Sequence, residues 1–358
     1  MRIVRYYPRA IVGDGGITRS VWRNSNELVA AGVEVVIAYD EGAEPPAPDG
    51  IVWWPVEHAG RPWRVPIGLE GLLHQGDLLI LHSAWCYHNV CAGAAARRRG
   101  VPYLLEPRGA YNPAIVGRRP WRKRAWWWAW ERRLVMNARA IHVFFESERA
   151  HLAALGYRGD VVVAPNGVDV PEAVAWDGGS GGYLLWYGRF DPEHKGIDLL
   201  LTAAARLPES ERPRLRLHGP DARARGKEAM RRRVDELGLA RHVAIGEPVY
   251  GAEKYDLLAR AVGFVYPSRW EAFGNAVAEA AAVGVPSVVT PYPLGRYLAE
   301  RGAAILTEAN ALALAGALAR LGTPEAAEAG RRARAIVRKE LSWPRVARSW
   351  LEQVEALL

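Results

Sequence analysis

Tyr266-Pro267-Ser268-Arg269-Trp270-Glu271-Ala272-Phe273-Gly274-Asn275-Ala276-Val277-Ala278-Glu279-Ala280-Ala281-Ala282-Val283-Gly284-Val285-Pro286 decides how the rest of this chain is read. A strand ends near Tyr266, an irregular loop carries Glu271, and an Ala-rich helix begins near Gly274 and stops at Gly284 before a new strand. The start of such a helix offers free backbone N–H groups and the positive end of its dipole, which suit phosphate. Glu279 falls a short way into the helix, where a carboxylate can accept hydrogen bonds from a ribose diol. Read by themselves, Glu271 and Glu279 would more simply be solvated acids.

Working upstream, Tyr187-Gly188-Arg189-Phe190-Asp191-Pro192-Glu193-His194-Lys195-Gly196 follows another strand and precedes a helix from about Ile197. Two cations in one strand-to-helix turn suit a diphosphate cradle, Arg189 binding as a fork and Lys195 as a point charge, although by themselves both fit surface charges equally well. Near the start of the chain, Gly13-Asp14-Gly15-Gly16-Ile17-Thr18-Arg19 joins the first strand to a helix ending near Ala31. Its glycines let backbone approach a ligand, but the spacing is neither a Walker loop nor a Gly-x-Gly-x-x-Gly fingerprint.

Short apolar runs alternate with helical stretches through the whole chain. Ile3 to Tyr7, Glu34 to Tyr39, Asp77 to His82, Tyr103 to Glu106, Ala140 to Phe145 and Val161 to Ala164 form one series. Leu184 to Tyr187, Arg214 to His218, Val243 to Ile245, Gly263 to Tyr266, Pro286 to Thr290 and Ala303 to Leu306 form a second. This rhythm predicts α/β architecture with two doubly wound, Rossmann-like domains. The Gly- and Ser-rich stretch 171–182 is expected to be the linker and hinge between residues 1–170 and 183–342. Residues 343–358 read as a final amphipathic helix, with Pro344 at its start and Val346, Trp350, Val354 and Leu357 at helical spacing. The expected ligand site is the cleft between the domains.

Composition narrows the classes. The 358 residues are 50% hydrophobic and 24% charged, which excludes a disordered chain. No uncharged apolar run reaches membrane-spanning length and the N-terminus has no signal-peptide pattern, so a cytoplasmic protein is expected, with peripheral contact at the inner membrane surface left open. Cys86 and Cys91 have no second pair for a structural zinc site and are expected to be reduced thiols. The net charge of +8 points to an anionic partner without choosing it.

Taken together, these segments resemble the family 4 retaining glycosyltransferases of the GT-B fold. The resemblance rests on Gly15-Gly16, Leu81-His82-Ser83-Ala84-Trp85, Pro107-Arg108-Gly109, Pro165-Asn166-Gly167-Val168-Asp169, Gly188-Arg189 with Lys195-Gly196, and Glu271 to Glu279 followed by Gly284-Val285-Pro286. It implies an acceptor-binding N-terminal domain, a nucleotide-sugar-binding C-terminal domain, and a terminal helix returning to the N-terminal one. Arg189 and Lys195 would hold the diphosphate, Glu271 would face the transferred sugar, Phe273, Gly274 and Asn275 would meet sugar and phosphate, Glu279 would bind the ribose, and Gly15-Gly16 would close over the phosphate. Arg108 stands where many members have His, so it joins the catalytic set in an electrostatic role, since a guanidinium stays protonated. His82 and Trp85 match the acceptor side, although a buried structural histidine fits His82 equally well. The implied activity is retaining transfer of a hexosyl unit from a nucleotide-diphosphate sugar to the hydroxyl of a glycan, glycolipid or natural product. No cofactor is expected beyond that co-substrate, and no metal, because the chain has no Asp-x-Asp.

One motif stays outside this scheme. Residues 118–133 hold seven bases against one acid, with Trp121, Trp126, Trp127, Trp128 and Trp130 among them. The indoles spread around a helical wheel rather than forming one stripe, which favours core packing of some Trp over contact with an anionic membrane. Two alternatives remain at this level: a nucleotide-sugar epimerase on a related scaffold, against which the paired glutamates argue, and a basic membrane- or nucleic-acid-binding protein. No nucleic-acid partner is expected.

Overall fold

The computed structural model describes residues 1–9, 15–40, 50–221 and 225–358. The chain divides into two compact α/β units, Met1–Gly167 together with Trp343–Leu358, and Val168–Ser342.

In the first unit the described strands are β1 (Arg2–Tyr7), β2 (Glu34–Asp40), β3 (Val52–Val56), β4 (His58–Ala59), β5 (Val65–Pro66), β6 (Asp77–His82), β7 (Tyr103–Glu106), β8 (Ala140–Val143) and β9 (Asp160–Val163). All but β4 and β5 form one parallel sheet in the order β3-β2-β1-β6-β7-β8-β9. Successive residues alternate between its faces. Val4 and Tyr6 of β1 join Leu79, Leu81, Tyr103 and Leu105 on one side, while Ile3 and Tyr7 join Leu78, Ile80 and Leu104 on the other. Both faces are covered by helices, so the strands read as continuous apolar runs.

The terminal helix Trp343–Glu355 is part of this unit, with Trp350 and Val354 buried in the second face. It also closes the sheet edge: the Gln353 amide accepts from Val163 N–H at 2.9 Å and donates to Val163 O at 2.9 Å, replacing a missing strand neighbour.

The second unit contains β10 (Leu184–Tyr187), β11 (Leu215–His218), β12 (Val243–Gly246), β13 (Gly263–Tyr266), β14 (Ser287–Val289) and β15 (Ile305–Leu306), parallel in the order β12-β11-β10-β13-β14-β15. The chain winds outward in both directions from β10 and β13, which makes their C-terminal ends the switch point where α/β sheets hold ligands. The helix Asn275–Val283 follows β13 between Gly274 at φ 100° and Gly284 at φ 93°, conformations that suit glycine at both ends. Its small side chains let the helix Pro324–Glu340 come close; a Cβ on Gly330 would lie 2.3 Å from Gly284 O.

Several expectations shift. The strand β3 and the antiparallel pair β4 and β5 were absent from the sequence series. Pro55 and the exposed residues of β3 do not look like a buried strand, but an edge position tolerates both. The helix Gly15–Ala30 begins at the glycine pair rather than after it, while Gly13 and Asp14 lie outside the described residues. The stretch 171–182, expected as a hinge, has neither helix nor strand but is part of the second unit. Trp176 fastens it there, its N–H donating to Val283 O at 3.0 Å and its indole to Ala261 O at 2.7 Å.

Trp350 is 1% exposed between helix and sheet. Trp350→Ala should destabilise the first unit by about 3 to 5 kcal/mol, the usual cost of emptying a large aromatic site. Urea denaturation should show it as a lower midpoint for that unit's transition.

Candidate active site

The loops after β10 and β13 meet at one end of the second sheet. Asp191 caps the short helix Pro192–Lys195 by accepting from His194 N–H at 3.2 Å. Gly196 follows at φ 66°, and a Cβ there would lie 2.0 Å from Pro267 O. That close approach sets Lys195 beside the loop carrying Glu271, and Lys195 Nζ donates to Glu271 Oε1 at 2.6 Å. Ser268 Oγ donates to the same oxygen at 2.8 Å. His194 stacks flat on Trp270, ring centres 4.3 Å apart, and its Nε2 lies 2.8 Å from Trp270 O.

Burial by itself would raise the Glu271 pKa. The Lys195 charge, neighbouring His194 and the two side-chain hydrogen bonds outweigh it and hold the carboxyl below its ordinary range. Burial and the adjacent Lys195 push His194 down.

Glu279 is held from two sides. Its Oε1 accepts from Lys254 Nζ at 2.7 Å and its Oε2 from Tyr187 Oη at 2.7 Å. Neither glutamate is a solvated surface acid. Phe273 is buried, and Gly274 and Asn275 open the helix Asn275–Val283, whose N-terminus, the positive end of its dipole, lies at this end of the sheet. Arg189 differs from Lys195: it is exposed, its carbonyl accepts from Asp191 N–H at 2.7 Å, and its guanidinium has no hydrogen-bond or ion-pair partner among the described residues. Its guanidinium is available to an anion.

Two sequence-derived candidates of the first unit, Arg108 and His82, meet at another buried carboxylate. Arg108, at φ 50°, donates to Glu106 Oε2 at 3.0 Å. His82 Nδ1 lies 2.8 Å from Oε2, His142 Nδ1 3.0 Å from Oε1 and Arg5 Nη1 3.9 Å from Oε1. Against the cost of burial, His82 and His142 hold Glu106 well below the ordinary carboxylate range. Burial pushes His82 to about 4 and Arg5 to about 10. The His82 side chain is 0% exposed, so its partners are internal. Trp85 is half-buried at φ 61°, its N–H donating to Glu131 Oε1 at 3.0 Å and its indole to Ala110 O at 3.0 Å. Gly15 and Gly16 open the helix Gly15–Ala30. Among the described residues, no group of three His, Cys, Asp or Glu side chains could hold a metal ion.

Sequence reasoning missed Glu106, Glu131, Lys254 and Tyr187. Lys254 left one signal, a lysine in register with Leu257 and Leu258 on the buried stripe of the helix Gly251–Arg260. The first unit also has a cavity of about 650 Å³ lined by Asp40, His58, Arg61 and Arg64. At its wall Asp40 pairs with Arg64 and with His58 Nδ1 at 3.2 Å, and His58 Nε2 meets Tyr6 Oη at 2.8 Å.

Residues 14–172 match the model described as Glycosyltransferase Family 4, and residues 181–323 match the model of Glycosyl transferases group 1. Between them the two matches span most of the chain. The chain belongs to the family 4, group 1 glycosyltransferases. Similar solved structures include sucrose-phosphate synthase from Thermosynechococcus elongatus, 20% identical with a TM-score of 0.80 over 100% of this chain and 99% of that one. HepE from Anabaena, solved with UDP-glucose, is 16% identical with a TM-score of 0.79 over 99% and 100% of the two chains. The lipopolysaccharide outer core galactosyltransferase WaaB is 15% identical with a TM-score of 0.74 over 100% of both. At such identities the likeness establishes the fold, which is GT-B. A comparison with curated proteins returns no match.

In this glycosyltransferase the buried His82 has a thermodynamic signature. Its ordinary pKa of 6.5 falls to about 4 on folding. Between those values the unfolded chain binds more protons, so stability rises with pH and is lost as pH falls through the window. The full effect is on the order of 3 kcal/mol. His82→Gln, which cannot titrate, should show a smaller loss of denaturation midpoint from pH 7 to pH 5 than the wild type does.

Proposed function

We propose that the enzyme transfers a hexosyl unit from a nucleoside-diphosphate sugar to an acceptor hydroxyl with retention of anomeric configuration and without a metal ion. The second unit takes the donor and the first takes the acceptor. The observation that carries this reading is the cluster at the ends of β10 and β13: exposed Arg189, the Lys195–Glu271 pair and the doubly held Glu279. HepE, solved with UDP-glucose on a similar fold, supports a nucleotide-sugar donor.

The chemistry follows from where charge develops. Breaking the bond from anomeric carbon to phosphate oxygen leaves a sugar of oxocarbenium character and increasing negative charge on the diphosphate. Arg189 and Lys195, with the N–H groups at Gly274 and Asn275, stabilise that charge most at the transition state. Glu271, ionised beside Lys195, accepts hydrogen bonds from sugar hydroxyls and steadies the positive ring. Glu279, fixed by Lys254 and Tyr187, accepts hydrogen bonds from the ribose hydroxyls. The acceptor hydroxyl attacks from the face the diphosphate leaves, and the departing phosphate oxygen takes its proton, so no protein base is needed. Arg108, tied to Glu106, adds positive potential on the acceptor side, where Trp85 and the cavity beside Asp40 and Arg64 offer a ring face and polar groups to a saccharide. His82 orders this side from within through Glu106. Gly15-Gly16 lets backbone approach the phosphate.

The reading is tested by incubating the enzyme with nucleotide sugars and hydroxyl acceptors and following product configuration by NMR. Retention of configuration, and full rate in EDTA, are expected; inversion, a rate requiring divalent ion, or donor epimerisation without acceptor would overturn it. Arg189→Ala should lower transfer roughly a hundred- to a thousand-fold, the usual cost of one lost transition-state donor, with the unfolding midpoint unchanged because the side chain is exposed. Lys195→Ala should also destabilise the second unit, by about 3 to 5 kcal/mol, since it leaves the buried Glu271 charge unpaired. Calorimetry separates the two variants.

A further inference from the structure

The Trp- and Arg-rich segment takes no part in the proposed reaction, and its structure differs from a core helix. Pro120–Trp126, a π-helical turn Trp127–Glu131 and Arg132–Met136 run on as one helical rod, about 25 Å long at 1.5 Å per residue. One side is fastened down. Trp126 and Trp130 pack on Trp63, with Trp130 also against Tyr87 and Trp127 against Trp85. Glu131, 0% exposed, accepts from Trp126 Nε1, Tyr111 Oη and Trp85 N–H.

The opposite side has the reverse character. Trp121 is 73% and Trp128 66% exposed, with Arg122 over the first ring and Arg132 over the second. Arg124 and Arg133 are exposed beside them, and among the described residues none of these four arginines forms an ion pair. The one acid of the segment, Glu131, is buried underneath and neutralises none of them.

We propose that this face is a docking surface for an anionic lipid bilayer. Large indoles left in water on a uniformly basic face are uncommon on a soluble domain. At a membrane interface both features are favourable: Trp rings settle at headgroup level, and each nearby arginine is attracted by anionic lipid. Single-stranded nucleic acid is more usually gripped in a basic groove, whereas here rings and guanidinium groups line the outward side of one helix. No described helix is long and apolar enough to cross a membrane, which fits a helix lying on the surface. Glu131 ties the docked helix to the loop of Trp85, so the lipid surface is held next to the acceptor side of the first unit.

Co-sedimentation of the full chain with phosphatidylglycerol-containing vesicles, and with pure phosphatidylcholine vesicles, tests the proposal without relying on the transfer reaction. The wild type should pellet with the anionic vesicles only. Arg124→Ala with Arg132→Ala should weaken partitioning roughly 25-fold, at about fivefold per arginine. Trp121→Ala with Trp128→Ala should weaken it at least tenfold by the loss of interfacial rings, roughly the scale of two exposed aromatic anchors. Both double variants should keep the wild-type unfolding midpoint and the rate of nucleotide release with a water-soluble acceptor. Equal binding to neutral vesicles, unchanged binding by the Trp variant, or tighter binding to a single-stranded oligonucleotide than to vesicles would overturn it. Loss of turnover with the soluble acceptor in the Trp variant would likewise refute a membrane role and make the helix part of the acceptor site.

Discussion

Glu271 is a carboxylate taken almost entirely out of water, and the loops after β10 and β13 are arranged around that fact. Removing an ion from solvent costs several kcal/mol unless a counter-charge and hydrogen bonds replace the lost water. Lys195 and Ser268 supply them. Gly196 permits the close approach to Pro267 that brings Lys195 within reach, and Asp191 holds the short helix that points it. The parallel order of the sheet puts these loops side by side although 76 residues separate the ion-pair partners. The second glutamate follows the same rule, with Lys254 and Tyr187 as partners.

The first unit uses buried carboxylates in a related way. Glu106 gathers Arg108, His82, His142 and Arg5 at the end of β7. Glu131 joins the loops of Trp85 and Tyr111 to the Trp-rich helix. Each acid compensates positive groups or N–H donors that would otherwise be stranded in the core, and each orders segments with no regular structure of their own. Preorganisation of this kind lets charged groups act on a developing transition state without first having to reorient.

Much of the architecture was legible before any coordinates. Asp77 to His82, Tyr103 to Glu106, Leu184 to Tyr187 and Gly263 to Tyr266 are strands at the residues their apolar runs predict. Such runs are unambiguous because the parallel strands are buried on both faces. The helix Asn275–Val283 was equally clear, since glycine at either end leaves little choice of boundary. Val52–Val56 escaped because an edge strand tolerates proline and exposed residues, and the Gly and Ser content of 171–182 hides the anchoring of Trp176 to the second unit.

By itself, then, the chain specified local structure and the α/β class, because hydrophobic period, turn residues and capping glycines act over a few neighbours. It also displayed the residue types of the candidate site, Arg189, Lys195, Glu271 and Glu279, through their place in strand-to-helix turns. Which partners those residues have was decided by the tertiary fold alone. Glu279 meets Lys254, Glu106 meets His142, and Trp121 remains outside while Trp126 is packed against Trp63. Burial and counter-charge come from segments tens of residues away, and no local pattern encodes the distance across a sheet.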